Sequence, residues 1–382
     1  MKFLPPLKPL NSVNAKPEPN TETDLPETKP VRFGWLATLL RRIGAVALWC
    51  LIFIIGLWSV LALYYSNLPG ALRPLAAVVF VAASVAVLFF LKRVYRRLAF
   101  FGLFAIVLVY WLLIPPSNNR AWRKDVAVLP HAEINGNRVT IHNVRNFDYL
   151  TTADFDVRYY DKTYDLGKLR TVDFFMSFWA PMPFCHTMVS FGFEGGDYLS
   201  VSIETRPKEN QGYSPLAACF KQFELIYVAA DERDVIRLRT NVRDESVYLY
   251  HLQTTPEAMK RFFLRYCGRM NDLWAHPEWY CTLTRNCTTD IPRRDGRTYG
   301  LFPESWKIIV NGFVDQFLHQ SGSLDQSVPL IELRKLGHIN TRGQTAGDAP
   351  DFSRRIRESI PDLPSATTGV ASKSATEYKG RL

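Results

Sequence analysis

A cysteine and a histidine far apart in the chain carry the chemistry this sequence offers. Cys287 stands in "YCTLTRNCTTD" and His186 opens "HTMVSFGF". A thiol attacks as its thiolate, and an unperturbed cysteine ionises only near pH 8.5. A neighbouring imidazole can take the proton, and backbone N–H groups at a helix start favour the anion. Separation along the chain is no obstacle, because folding brings such pairs together. The chemistry would be attack on an ester or amide carbonyl, a thioacyl intermediate, and transfer to an amine, a hydroxyl or water.

Three further residues bear on that pair. Glu204, in "SIETR", is the candidate third member, orienting His186 across a hairpin. A two-residue loop at Gly195 and Gly196 pairs 187 with 204 and sends Glu204 to the opposite sheet face. A bulge or a one-residue register change puts it on the same face. Its structural alternative is an ion pair with Arg206 or Arg233. Asn286 either supports an oxyanion or makes a turn. Cys185 alternates away from His186, into core or a disulfide. Pro292 follows Cys287 closely, so any helix there is short or kinked. The rival chemistry is zinc, from Cys267, His276, Cys281 and Cys287. Without a CxxC or HxxxH pair that set is weak, and no metal or cofactor is expected. There is no phosphate-binding glycine loop and no GxSxG elbow.

Strand-like runs must position these residues. "NRVTIHNVRNF" alternates apolar and polar residues, and "TVDFFMSFWAP", "HTMVSFGF", "DYLSVSIETR", "FELIYVA" and "VIRLRT" read as further strands. Helical periodicity follows. "TPEAMKRFFLRYCGRMNDLWA" has Thr255 as N-cap, Pro256 in the first turn, and a core stripe of Met259, Phe262, Phe263, Tyr266 and Met270. "PESWKIIVNGFVDQFLHQSG" reads as a second amphipathic helix. Strands followed by helices, without strict alternation, indicate an α+β domain with a mainly antiparallel sheet and packed helices, over residues 117–323.

Upstream, residues 43–65, 74–91 and 98–114 are apolar runs near the roughly 20 residues needed to cross a bilayer. They define a three-helix transmembrane region at 33–116; the third run is the shortest. No cleaved signal peptide is read, since the first apolar run starts well into the chain. Residues 1–32, with seven prolines among the first 31, read as a disordered cytoplasmic tail. Arg32, Arg41 and Arg42 precede the first span, and Lys92, Arg93, Arg96 and Arg97 fill a loop at 92–97, against the single Arg73 in 66–73. Basic flanks stay cytoplasmic. Three spans therefore place the domain outside the bacterial inner membrane, in the periplasm.

The net charge is +10 over 382 residues. Much of the excess flanks the membrane runs, where it sets topology and meets anionic lipid. No nucleic-acid motif accompanies it. Of six cysteines, Cys50 lies in an apolar run and five lie in the domain, so in an oxidising compartment at least one stays unpaired. Residues 324–382 read as a polar tail with a short helix at 351–362, whose Phe352, Ile356 and Ile360 either lie on a membrane surface or dock on the domain. Oligomeric state is not legible.

Taken together, "VRNFDY", "HTMVSFGFEGGDYLSVSIETR", "FELIYVAADERDVIRLRTNVR", "YLY" and "NCTTDI" resemble the domain related to the N-terminal periplasmic domain of bacterial lipoprotein N-acylation enzymes, over about 119–323. The resemblance implies a circularly permuted papain-like fold, with a strand histidine preceding a cysteine at a helix start. Relatives of that fold include cell-wall peptidases and lecithin:retinol acyltransferases. Carried over by residue, it implies His186 as base and Cys287 as nucleophile. The expected activity is a membrane-anchored thiol acyltransferase or hydrolase acting on envelope lipids, lipoproteins or peptides. The alternatives are a cell-wall peptidase or amidase, or a non-catalytic envelope module that binds a lipid, peptide or protein. All apolar helices precede the domain here, so the resemblance does not fix the substrate.

Overall fold

A computed structural model describes residues 34–292, 304–358 and 360. Contacts divide the chain into two units, with the boundary at Ile54 and Ile55, inside the first helix.

Three helices open the described chain: α1 (Gly34–Tyr64), α2 (Leu72–Phe90) and α3 (Arg93–Leu112). All three are long and apolar enough to cross a membrane. The helix α1 is longer than the expected run. Its 31 residues rise about 46 Å, which exceeds a hydrocarbon core of about 30 Å. Arg41 and Arg42 are therefore helical rather than a preceding flank. The expected loop at 92–97 shrinks to Leu91 and Lys92, and Arg93, Arg96 and Arg97 join the start of α3. Arginine is a good helix former, so charge alone does not end the helix.

The ends of α1 and α3 meet one short segment of the domain. Lys221 Nζ donates to the carbonyls of Trp111, Leu112 and Ile114 at 2.8, 3.2 and 3.2 Å, and lies over the Trp111 ring. A cation is favoured there because the last helical carbonyls lack partners. Phe220 stacks on Tyr65, with ring centroids 5.8 Å apart, and packs with Trp58, Ala62 and Val107.

The domain is an eight-stranded sheet. Its strands are β1 (His131–Asn135), β2 (Arg138–Arg145), β5 (Tyr159–Asp165), β6 (Leu169–Phe178), β7 (His186–Phe193), β8 (Asp197–Arg206), β9 (Glu224–Ala230) and β10 (Ser246–His251). A separate ribbon pairs β3 (Asp148–Tyr149) with β4 (Phe155–Asp156). The order is β1-β2-β9-β8-β7-β6-β10, with β5 beside β2, and every pairing is antiparallel except β2 with β9. The expected α+β class, with a mainly antiparallel sheet behind three apolar helices, is what the chain adopts.

Both sheet faces are covered. On one, α6 (Pro256–Ala275) lays Met259, Phe263, Tyr266 and Met270 against Val189, Phe191, Val201 and Tyr227. Thr255 caps α6 by accepting from Ala258 N. On the other face, Phe175, Met188, Ile226 and Val228 meet α5 (Glu232–Arg237), α10 (Asn340–Ala346) and α11 (Phe352–Arg355).

Three sequence expectations change here. "VIRLRT" is not a strand: it forms the end of α5 and a π-helical turn at 238–242, with Val235, Ile236 and Leu238 buried. In so short a run the two periodicities are not separable. The second amphipathic helix is broken into α7 (Trp306–Ile309), a 3-10 turn at Asn311–Phe313 and α8 (Val314–Gln320). Its break is fixed by Gly312, whose N–H bonds Pro183 O at 2.8 Å and whose position leaves a side chain only 2.3 Å from that oxygen.

The third change concerns the C-terminal stretch, which is no tail up to residue 360. Besides α9 (Leu330–Gly337), α10 and α11, it supplies Ile339, Phe352 and Ile356 to the second core. Of the two placements expected for the 351–362 helix, α11 takes docking on the domain. Arg357 enters the interior, donating to Asp173 at 2.6 Å and to Glu232 at 2.6 and 2.7 Å, with its guanidinium 3.7 Å from the Tyr198 ring centre. Asp173 also meets His251, and Glu232 accepts from Ser190 at 2.5 Å. Buried carboxylates of this kind require a cation and hydrogen bonds, and the end of the chain supplies them. Residues 361–382 and the 1–32 tail lie outside the described residues.

Candidate active site

The hairpin β7–β8 sets the register on which the site depends. Phe193 pairs with Asp197 and Met188 with Ser202, so the loop is Glu194, Gly195 and Gly196. Both glycines have positive φ, 94° and 88°, which an L side chain resists. The loop is thus one residue longer than the simple turn. Carried two residues beyond Met188↔Ser202, the register sets Glu204 opposite His186, on the same face. Ser202, two residues from Glu204, shares it.

Pairing of β7 with β8 stops at Met188, and the Cys287 turn enters where the strands open. Thr187 Oγ1 donates to Cys287 O at 2.9 Å and lies 3.2 Å from Thr288 Oγ1. The turn is a single helical one, with Asp290 N bonded to Asn286 O. Asn286 caps it: its Oδ1 accepts from Thr288 N and Thr289 N, both at 2.9 Å, and its Nδ2 donates to Thr282 O at 2.7 Å. That amide is used up in the turn and offers nothing to an oxyanion. Of the two readings given it, the turn is the one the hydrogen bonds fit.

His186 and Cys287 are brought together closely enough for each to shift the other's ionisation. His186 Nε2 lies 2.7 Å from Ser202 Oγ and 3.5 Å from Glu204 Oε1. Ser202 Oγ donates to Glu204 Oε1 at 2.8 Å, and Arg239 Nη2 donates to the same oxygen at 2.8 Å. Arg239 faces Glu245, whose Oε2 accepts from Ser177 Oγ at 2.5 Å. Glu204 is thus held by Arg239, not by Arg206 or Arg233. Arg206 packs over Trp122 and donates to Val126 O and Ala127 O, while Arg233 reaches Asn146.

The ionisations follow from these contacts. Burial opposes charge on His186, but the Glu204 carboxylate beside it outweighs both burial and Arg239. With the Cys287 bond added, the imidazole is raised to about 9. Burial would likewise push the Cys287 thiol up. The hydrogen bond and charge of His186, then Thr187 N–H and the Thr288 hydroxyl, bring it down to about 7. Glu204 is held well below the usual carboxylate range by His186 and Arg239, against its burial. Above about pH 7 and below about 9 these shifts favour a thiolate beside an imidazolium, in a Cys287 that is 6 % exposed.

One partner of the sulfur went unread in the sequence. Asn311 Nδ2 donates to Cys287 Sγ at 3.5 Å, to Thr288 Oγ1 at 2.9 Å and to Cys185 O at 2.8 Å, while its Oδ1 accepts from Cys185 N at 3.0 Å. It fastens the start of β7 to the Cys287 turn. The available signal was "NG" inside a helical run, a pair that breaks helices. Cys185 itself is a buried free thiol in the core. Among the described residues no group of three or more His, Cys, Asp or Glu could hold a metal ion; Cys267 lies on the buried face of α6.

Residues 155–293 match the family model of the Lnb N-terminal periplasmic domain. The match contains His186, Glu204 and Cys287 and is narrower than the expected 119–323; "VRNFDY" falls outside it. No curated protein and no solved structure matches the chain. Three membrane-length helices followed by this domain are the features of a membrane-anchored protein with a periplasmic C-terminal domain, related to a lipoprotein-modification family.

Proposed function

We propose that the protein is a cysteine-dependent acyltransferase or hydrolase of the inner membrane, with Cys287 as nucleophile, His186 as its acid–base partner and Glu204 orienting the imidazole. The observation that carries this reading is the geometry: His186, held by Ser202 and Glu204, stands next to Thr187, whose hydroxyl binds the Cys287 turn, and the surroundings lower the thiol and raise the imidazole. A buried structural cysteine is pushed the other way, as the raised thiols of Cys185 and Cys267 illustrate.

The steps follow from the atoms. The Cys287 sulfur attacks an acyl carbonyl, and the imidazolium protonates the departing alcohol or amine. The neutral imidazole then takes a proton from the acceptor, which attacks the thioester and frees the sulfur. Acceptor identity decides between transfer and hydrolysis. The substrates proposed are envelope lipids, lipoproteins or cell-wall peptides. The membrane helices favour the acylated ones, because the domain is held on the helix ends by Phe220 and Lys221.

The orientation proposed is N-terminus cytoplasmic, domain periplasmic. It is supported by Arg93, Arg96 and Arg97 at the start of α3, the end away from the domain. The test of the activity is mass spectrometry of the purified full chain after incubation with diacylated lipid or lipopeptide. A hydroxylamine-sensitive acyl mass on the Cys287 peptide, absent in Cys287→Ser and His186→Gln, is expected. No adduct and no turnover in the wild-type chain, across envelope lipids and peptides, would leave the non-catalytic binding module in its place.

A further inference from the structure

Two half-buried cysteines outside the dyad flank a contact that joins the Cys287 loop to the turn packed on the membrane helices. Cys219 ends the short helix α4 (Pro215–Ala218), and Cys281 opens the loop that leads to Cys287. Thr282 Oγ1 donates to Pro215 O at 2.8 Å, and the Cys219 sulfur lies 3.6 Å from the same carbonyl. The Cys219 and Cys281 thiols are close enough to shift each other's ionisation. Both are free thiols in the structure. Cys281 begins a tight loop closed by Cys281 N to Arg285 O at 3.0 Å and Arg285 N to Cys281 O at 2.9 Å. Phe220, the next residue after Cys219, is the ring that stacks on Tyr65.

We propose that Cys219 and Cys281 are a disulfide site, closed by thiol–disulfide exchange with a disulfide-bearing oxidant of the surrounding compartment, and that the bond clamps the Cys287 loop to the turn packed on the membrane helices. The Cys281 sulfur, on the loop and beside the Thr284 hydroxyl that favours its thiolate, is taken as the attacking atom. It forms a mixed disulfide and expels one sulfur of the oxidant as a thiol. The Cys219 thiol then loses its proton and displaces the second oxidant sulfur. The two protein thiols give up two electrons and two protons, and the oxidant leaves as a dithiol.

The pairing also sorts the remaining cysteines. Cys185 and Cys267 are fully buried in the core, their thiols pushed up by burial. Cys50 lies in an apolar helix. With Cys219 and Cys281 joined, Cys287 is the one thiol of the domain left with a lowered pKa. The clamp thus removes the pair that would compete with it for oxidants and electrophiles.

The site rests on the periplasmic placement of the domain, so the experiment has one arm that depends on the compartment and one that does not. In the first, membranes are lysed into N-ethylmaleimide, and the full chain is purified and digested without reductant. The expected product is a peptide pair linked through Cys219 and Cys281, lighter than its parts by two hydrogens, with Cys287 unlinked. In the second, the full chain in detergent is reduced, freed of reductant, equilibrated with mixtures of oxidised and reduced glutathione, and quenched in the same way. The same linked pair should dominate, and in Cys219→Ser it should be replaced by a glutathione adduct at Cys281. Separate glutathione adducts on both cysteines of the wild type, or a pairing through Cys287, overturn the site. A linked pair in glutathione together with alkylated Cys219 and Cys281 from membranes refutes the bond in the cell while leaving its geometry in place.

Discussion

Replacing Glu204 by glutamine tests the arrangement at the point where its parts are coupled. Glutamine keeps the shape, and its oxygen still accepts from Ser202 and Arg239, but the charge that holds the His186 proton is gone. Burial and Arg239 then both act against the imidazolium. Without that cation the Cys287 thiol returns toward its ordinary value of 9.0 from about 7. Two pKa steps correspond to about 2.7 kcal/mol. At pH 7 a thiol ionising at about 7 is half thiolate, and one ionising at 9.0 is about one per cent thiolate. The expected effect is therefore a loss of roughly 50-fold in the rate of Cys287 alkylation by iodoacetamide at pH 7, closing as the pH passes 9. The assay is peptide mass spectrometry of the full chain in detergent, timed from pH 5.5 to 10 and read on the Cys287 peptide alone. A Glu204→Gln profile that overlays the wild type refutes the electrostatic chain. So does a wild-type midpoint near 9, which would make Cys287 an ordinary thiol.

With a substrate in hand, kcat/KM should trace a bell: activity rises through about pH 7 as the thiol ionises and falls through about 9 as the imidazolium that protonates the leaving group is lost. A single rising limb to pH 10 would remove His186 as the acid. Asn311→Ala strands the Cys185 N–H and C=O and removes a donor from the sulfur; a loss of about 2–3 kcal/mol in urea unfolding is expected, together with a raised Cys287 midpoint. An unchanged midpoint would restrict Asn311 to a structural part. Arg357→Gln leaves the buried Asp173 and Glu232 carboxylates without their cation, and should cost about 3–5 kcal/mol; a change under about 1 kcal/mol would return residues 324–358 to the status of a tail. A reporter that fluoresces only in the cytoplasm should stay dark when fused after Leu382 and shine when fused before Met1. The reverse pattern inverts the topology.

The sequence shows most plainly what local patterns determine. Apolar length marks α1, α2 and α3, whose cores coincide with the expected runs. Capping chemistry places α6: Thr255 caps it and Pro256 starts it as read. The strands β6 to β9 fall on the quoted runs because alternation and β-branched content are features of single strands. What fails locally is the short or ambiguous piece. "VIRLRT" has a period that fits strand or helix, and only docking on the sheet decides it. Polar composition misled at the C-terminal stretch, since Arg357 reads as a surface charge until Asp173 and Glu232, far away in the chain, are seen to need it.

The site divides along the same line. Cys287, His186 and Glu204 are legible because nucleophile, base and carboxylate have recognisable types, yet the face of Glu204 hangs on one residue of loop length at Glu194. Nothing in "EGGD" distinguishes a two-residue from a three-residue turn, since Gly195 and Gly196 suit both. Arg239 was hidden because its segment was read as a strand. In the π-helical turn its side chain instead meets Glu204 and Glu245. Asn311 was hidden because an asparagine announces no chemistry. Its amide does what no catalytic type does: one face pairs with the backbone of Cys185, beside the base, and the same nitrogen reaches Cys287, the nucleophile. A side chain that joins the two halves of a dyad can be recognised only once the fold has placed both within its reach. This is why the chemistry of this chain could be read from its residues and the positioning of that chemistry could not.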